Sequence, residues 1–138
     1  MTPKIIKTSG YNYLTADQIY YLIYNKIIDI NEQDNTGNTF LMRVTDLGNL
    51  DLIKYLVNHR VHLNLVDDKG NSALVHAAMN NKFEIFKYLF EHGARLSSQL
   101  KEIWLPIEHD NSQIKNYLEE RGISMKYHSL FGQNFSKS

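Results

Sequence analysis

The chain has 138 residues, 43% of them hydrophobic, and its fifteen basic side chains balance fifteen acidic ones. Such a composition describes one folded domain with no net field to gather nucleic acid or anionic lipid, so either ligand would need a local patch. The longest apolar stretch, Ile19 to Tyr24, is too short to cross a bilayer, and Lys4 and Lys7 flank only Ile5 and Ile6, which is no secretory core.

With no cysteine present, packing alone must hold the fold, which suits a cytoplasmic protein. Lys outnumbers Arg by eleven to four, and Asn, Ile and Tyr are abundant. That bias reads as an AT-rich coding genome and says nothing of function.

In chain order, the Thr2-Pro3 and Ser9-Gly10 breaks leave room for no more than a degenerate first helix. Thr15-Ala16-Asp17-Gln18 has the capping-box form, in which the Thr oxygen accepts from the third helical N–H and Gln reaches back to the Thr amide. A helix is expected from there to about Lys26, with Ile19, Leu22, Ile23 and Ile27 facing the next unit and Tyr20, Tyr21 and Tyr24 on the remaining sides. Residues 1–33 read as an N-terminal capping unit.

Then a sentence is written twice. Asp34-Asn35-Thr36-Gly37-Asn38-Thr39-Phe40-Leu41 returns as Asp67-Asp68-Lys69-Gly70-Asn71-Ser72-Ala73-Leu74, with 70 − 37 = 33 positions between the glycines. A period of this size marks stacked helical repeats. Ile19, Leu52 and Ile85 fall in one column of the same step, and Ile23, Leu56 and Leu89 in another; Asp29-Ile30-Asn31 recurs as His62-Leu63-Asn64 and loosely as Arg95-Leu96-Ser97. The apolar spacing in 51–57 and 84–90 is that of one helix face.

Residues 34–66 therefore form a first repeat, with helices near Phe40 to Leu47 and Leu50 to Asn58. Residues 67–100 form a second, with helices near Ala73 to Asn80 and Phe83 to His92. Gly93 suits a left-handed C′ position. Arg60 stands at the matching place of the first repeat and would be strained there, which predicts a looser junction.

Past Leu100 the register shortens. Ile114, Leu118 and Gly122 match Ile85, Leu89 and Gly93 only at a step of 29, so residues 101–124 read as a shortened capping unit whose last helix covers Ser112 to Glu120. Trp104, Leu105 and Ile107 are expected to fill the gap between cap and body. Residues 125–138 are an aperiodic tail in which Tyr127, Leu130, Phe131 and Phe135 could dock and the last positions fray.

The pattern resembles the ankyrin repeat family. Its tip Asp and Gly, then T-P-L-H-x-A-A, then a helix ending L-L-x-x-G-A-D-V-N, is matched by Asp67, Gly70, Ser72, Leu74, Ala77, Ala78, Leu89, Phe90, Gly93 and Ala94. In the first repeat it survives as Asp34, Gly37, Thr39, Leu41, Leu56, Val57, Leu63 and Asn64. The resemblance covers about residues 12 to 123 and implies an all-α solenoid of helix-turn-helix units with β-turn tips. The motif's Pro is Phe40 and Ala73 here and its His is Met42 and Val75, so the loop-stitching hydrogen bonds that the family's histidine makes do not carry over from the resemblance. Its mid-repeat Gly is kept as Gly48 and replaced by Asn81, which tolerates the left-handed region.

Nothing in the chain matches a phosphate loop, a dinucleotide fingerprint, H-E-x-x-H or a nucleophile elbow, so neither catalysis nor a cofactor is expected. His59 and His92 stand one period apart, and helices packing about 8–10 Å from one another leave them too distant to share a zinc held about 2 Å from each nitrogen. No metal site is expected.

The resemblance implies a binding protein whose hollow face, made of turn tips and first helices, takes a protein partner. The family's variable contact positions fall on Asn35, Thr36, Asn38, Asp46, Leu47 and His59, and on Asp68, Lys69, Asn71, Met79, Asn80 and His92. Leu47 and Met79 stand out as apolar anchors. A monomer is expected, with no nucleic-acid or membrane ligand. Two further readings compete: a host-directed effector or inhibitor from a parasite or virus, with the 127–138 tail as an export signal, and a structural remnant with no partner.

Overall fold

The computed structural model describes residues 10–96, 105–106, 112–123, 126–128 and 134–136. Polar side chains cap four of the helices. Thr15 and Gln18 form the expected reciprocal box at the head of α1, Ala16–Tyr24. At α2, Phe40–Leu47, Thr39 Oγ1 accepts from Met42 N–H while the Met42 thioether takes the return bond from Thr39 N–H, the place Gln18 fills in α1. Ser72 caps α4, Ala73–Met79, through Val75 N–H.

The second helices follow after tight turns: α3 is Leu50–Asn58, capped by Asn49, and α5 is Phe83–Glu91. Both turns are left-handed, at Gly48 with φ 76° and at Asn81 with φ 53°. Arg60 takes the left-handed region too, with φ 61°, as does Lys26, with φ 56°; Gly93 occupies the equivalent place at 109°. The strain expected at Arg60 is therefore present.

Each helix pair rests on the next. α1 packs on α2, α2 on α4, α3 on α5 and α5 on the final helix α6, Ser112–Glu119. The 33-residue columns are the core: Ile19, Leu52 and Ile85 are buried in turn, Leu56 and Leu89 fully so, and Ile114 and Leu118 continue them into the last unit. Ile23, at the open end of its column, is half-buried. Before α1 the chain makes a single 3₁₀ turn, Tyr11–Tyr13, where a first helix would stand. Tyr11 lies buried in the column of Val44 and Ala77, its ring 4.4 Å from that of Phe40.

Tyr117 docks α6 with edge contacts to Phe83, Phe86 and Phe90 at 5.8, 6.5 and 6.0 Å, and its hydroxyl donates to Glu91. Burial, then the Glu91 carboxylate, raises that phenol above its ordinary pKa. Arg121 lies 3.6 Å over the same ring.

A small sheet is added to the helical stack that the sequence did not announce. β1, Leu105–Pro106, pairs parallel with β2, Lys126–His128, and β2 pairs antiparallel with β3, Asn134–Ser136, with Tyr127 opposite Phe135. The expected packing of Trp104, Leu105, Ile107, Tyr127, Leu130, Phe131 and Phe135 lies outside what is described.

Candidate partner-binding face

Each repeat opens with a finger built around one aspartate. Asp34 Oδ1 accepts from the N–H groups of Thr36 and Asn38, both at 2.9 Å, and from the Thr36 hydroxyl. Asp67 Oδ1 accepts from Lys69 and Asn71 N–H at 3.0 and 2.9 Å. Gly37 and Gly70 close the turns by donating to the carbonyls of those aspartates. A short carboxylate that satisfies its own loop's amides is a strong turn former.

The fingers touch. Asp68 N–H donates to Thr36 O at 3.1 Å, and Gln33 Nε2 reaches both Gly37 O and Val66 O at 2.8 Å. Behind them Asn31 Oδ1 accepts from His62 N–H, and one period on Asn64 Oδ1 accepts from Arg95 N–H. A hydrogen bond that repeats at the sequence period is what a regular stacking step produces.

The first helices are cross-linked beside the fingers. His76, on α4, points Nδ1 at Asp46 Oδ1 on α2, 3.1 Å away, and Nε2 at Asp67 Oδ2 on the finger, 3.0 Å away. Burial of the ring opposes its charge, but the hydrogen bond and charge of Asp46, and then those of Asp67, outweigh this and raise its pKa above the ordinary 6.5. For Asp67, burial pulls upward, while the Asn71 amide, the His76 ring and the Lys69 amide hold it below the usual carboxylate value. Asn80 Nδ2 adds a second donor to Asp46 at 2.8 Å.

That bond joins the C-terminal ends of α2 and α4, where two large apolar side chains face solvent: Leu47, 39% exposed, and Met79, 51% exposed. A model of the family described as ankyrin repeats (3 copies) matches residues 9–99. The chain belongs to the ankyrin repeat family. Ankyrin repeats are protein-interaction modules.

Among solved structures, a chain from the complex of the Bd0816 predatory endopeptidase of Bdellovibrio bacteriovorus with immunity protein Bd3460 is 33% identical, with a TM-score of 0.56. The match covers 63% of this chain and 43% of that one, so this ankyrin chain spans less than half of its neighbour's length. No curated protein matches it.

Ten of the twelve residues singled out from sequence fall on fingers or first-helix ends. Asn35, Thr36, Asp68 and Lys69 are exposed at the tips, with Asn38 and Asn71 half-buried behind them; Asp46, Leu47, Met79 and Asn80 are gathered at the ends of α2 and α4. His59 and His92 lie elsewhere. Each ring bonds the carbonyl of the Tyr four residues earlier and packs against that Tyr, tilted at 4.1 Å from Tyr55 and stacked at 3.9 Å from Tyr88. They belong to an aromatic row on the second helices that Tyr20 and Tyr24 extend.

His76 was missed. Val75 holds the family's histidine position, one residue away. The signal was available: Asp46 and Met79 share a column at 79 − 46 = 33, and His76 is one turn before Met79 on the same face. Among the described residues no group of three or more metal-ligating side chains could hold an ion. No helix there is long and apolar enough to cross a membrane.

Proposed function

We propose that this chain is a non-catalytic, cytoplasmic protein-binding module that takes its partner on the face made by the fingers and the ends of the first helices. The observation that carries this is the exposure of Leu47 and Met79 side by side with the Asn80–Asp46 bond, an apolar pair framed by polar groups. Such a pattern is that of an anchor with a polar rim. Asn35, Thr36, Asn38, Asp68, Lys69 and Asn71 extend the rim along the fingers. The His76 imidazole does not argue for catalysis, because carboxylates occupy both of its ring nitrogens and leave neither to take a proton from a nucleophile.

The partner is to be captured from native cells with the full chain as bait, identified, and titrated against variants. Leu47→Ala with Met79→Ala is expected to weaken binding by about 10- to 100-fold, the range for losing one or two anchors. His59→Ala with His92→Ala serves as the comparison: a loss as large from that pair, with none from Leu47 and Met79, would assign the partner to the aromatic row instead.

A second reading keeps the same surface and makes the partner an enzyme that is inhibited, with the chain directed at a host. It is favoured by the likeness to a chain from a complex that pairs a peptidase with an immunity protein. Loss of the captured partner's activity on adding this chain would separate inhibition from simple tethering.

A further inference from the structure

We propose that His76, held as an imidazolium between Asp46 and Asp67, is a proton-dependent clip that fixes the second finger against both first helices. The argument is one of valence. An ionised carboxylate only accepts hydrogen bonds, so each ring nitrogen that faces one at about 3 Å must carry a hydrogen, and only the doubly protonated ring does so. The His76 side chain is 16% exposed and Asp67 is 9%, which leaves little room for water to take over a lost contact.

Among the described residues, the charged groups around the ring are few. From α2 come Asp46 and, one turn earlier, Arg43, whose Nε is committed to Leu14 O. The finger supplies Asp67, whose other oxygen is committed to the Lys69 and Asn71 amides. At the head of α5 the Lys82 amine lies over Gly48, and β1 contributes only Leu105 and Pro106, neither of which titrates. When His76 loses a proton, one of its two nitrogens meets an oxygen lone pair to lone pair, and a partly buried carboxylate loses its counter-charge.

The sign follows from linkage. A group whose folded pKa is raised contributes stability in full below its ordinary value, 6.5 for His76, and that stability is lost as pH climbs through the raised value. Asp67, held low, sets the acid limit in the opposite sense: its contribution is lost as pH falls through its lowered value.

The test uses the full chain labelled with ¹⁵N. Histidine ring shifts report protonation residue by residue, and thermal melts are run between about pH 6 and about pH 10, bracketing the ordinary histidine value. Expected is a His76 ring with both nitrogens protonated near pH 7, titrating above 6.5, with the midpoint falling by about 4 °C or more across that same step. His76→Gln should abolish the step. If that variant does not fold, Asp46→Asn, which keeps the side-chain shape, must lower the His76 titration and carry the step with it. A His76 ring that is neutral near pH 7, or a melting midpoint that stays level while His76 titrates, overturns the proposal.

Discussion

Replacing Gly37 by Ala probes the finger stack directly. Gly37 has φ 81°, and a Cβ there would lie 2.8 Å from Asp68 N and Oδ1 and 3.0 Å from Asp67 Cα, whereas ordinary contact begins at 3.4 Å. Two of those three atoms are backbone of the next finger and cannot swing aside, so the fingers must part. Holding Ala in the left-handed region costs about 1–2 kcal/mol. Losing the Asp68 N–H to Thr36 O bond adds about 1 kcal/mol, for a total of about 2–4 kcal/mol once residual strain is included.

Gly48→Ala is the control. Its φ is nearly the same, 76°, but its Cβ would meet only the flexible end of Lys82 at 3.3 Å, so the backbone term of about 1–2 kcal/mol remains alone. Urea melts of both variants, followed by circular dichroism, should place Gly37→Ala below Gly48→Ala by about 1–2 kcal/mol. Equal losses would mean that the fingers do not bear on one another.

Arg60→Gly removes the left-handed strain at the end of α3 and should stabilise the chain by about 0.5–1 kcal/mol, a midpoint rise of about 2–4 °C; a fall would show that the Arg60 side chain matters more than its backbone. Asn31→Ala and Asn64→Ala each leave a loop amide without its acceptor and should cost about 1 kcal/mol. The two losses should add within about 0.5 kcal/mol in the double variant, since they belong to successive junctions. A large departure from additivity in denaturant melts would indicate that the loops are coupled through the stack.

Periodicity made the helices and their burial legible, because a residue that recurs every 33 positions must meet its own copies in neighbouring units. The Thr15 box, the bounds of α2 and α3, and the buried Leu52, Leu56, Ile85 and Leu89 all follow from that rule and from capping chemistry. Less visible were features that depart from the repeat. Met42 closing the cap of α2 through sulfur follows no propensity rule. The strands at 105–106, 126–128 and 134–136 are too short for alternation to show. Exposure of Leu47 and Met79 could be argued from register, but the displacement of His59 and His92 to the aromatic row depends on which way a helix C-cap turns, and spacing does not carry that.

The first two junctions of the stack solve one problem with different chemistry. At the first, Asp34 Oδ2 accepts from Tyr11 N–H while Arg43 Nε reaches Leu14 O; at the second, Asp67 Oδ2 and Asp46 meet His76, which stands one period after Arg43. Arginine keeps its charge at every pH a protein survives, so the cation of the first junction does not change where a histidine would. Histidine at the same place makes the second junction a titratable one. The exposed ends of α2 and α4, where Leu47 and Met79 stand, lie across that second junction and not the first. Whatever the proposed clip does to the spacing of those helices it would therefore do to the anchor pair, and a partner that grips both side chains would be expected to sense the protonation of His76 without touching it.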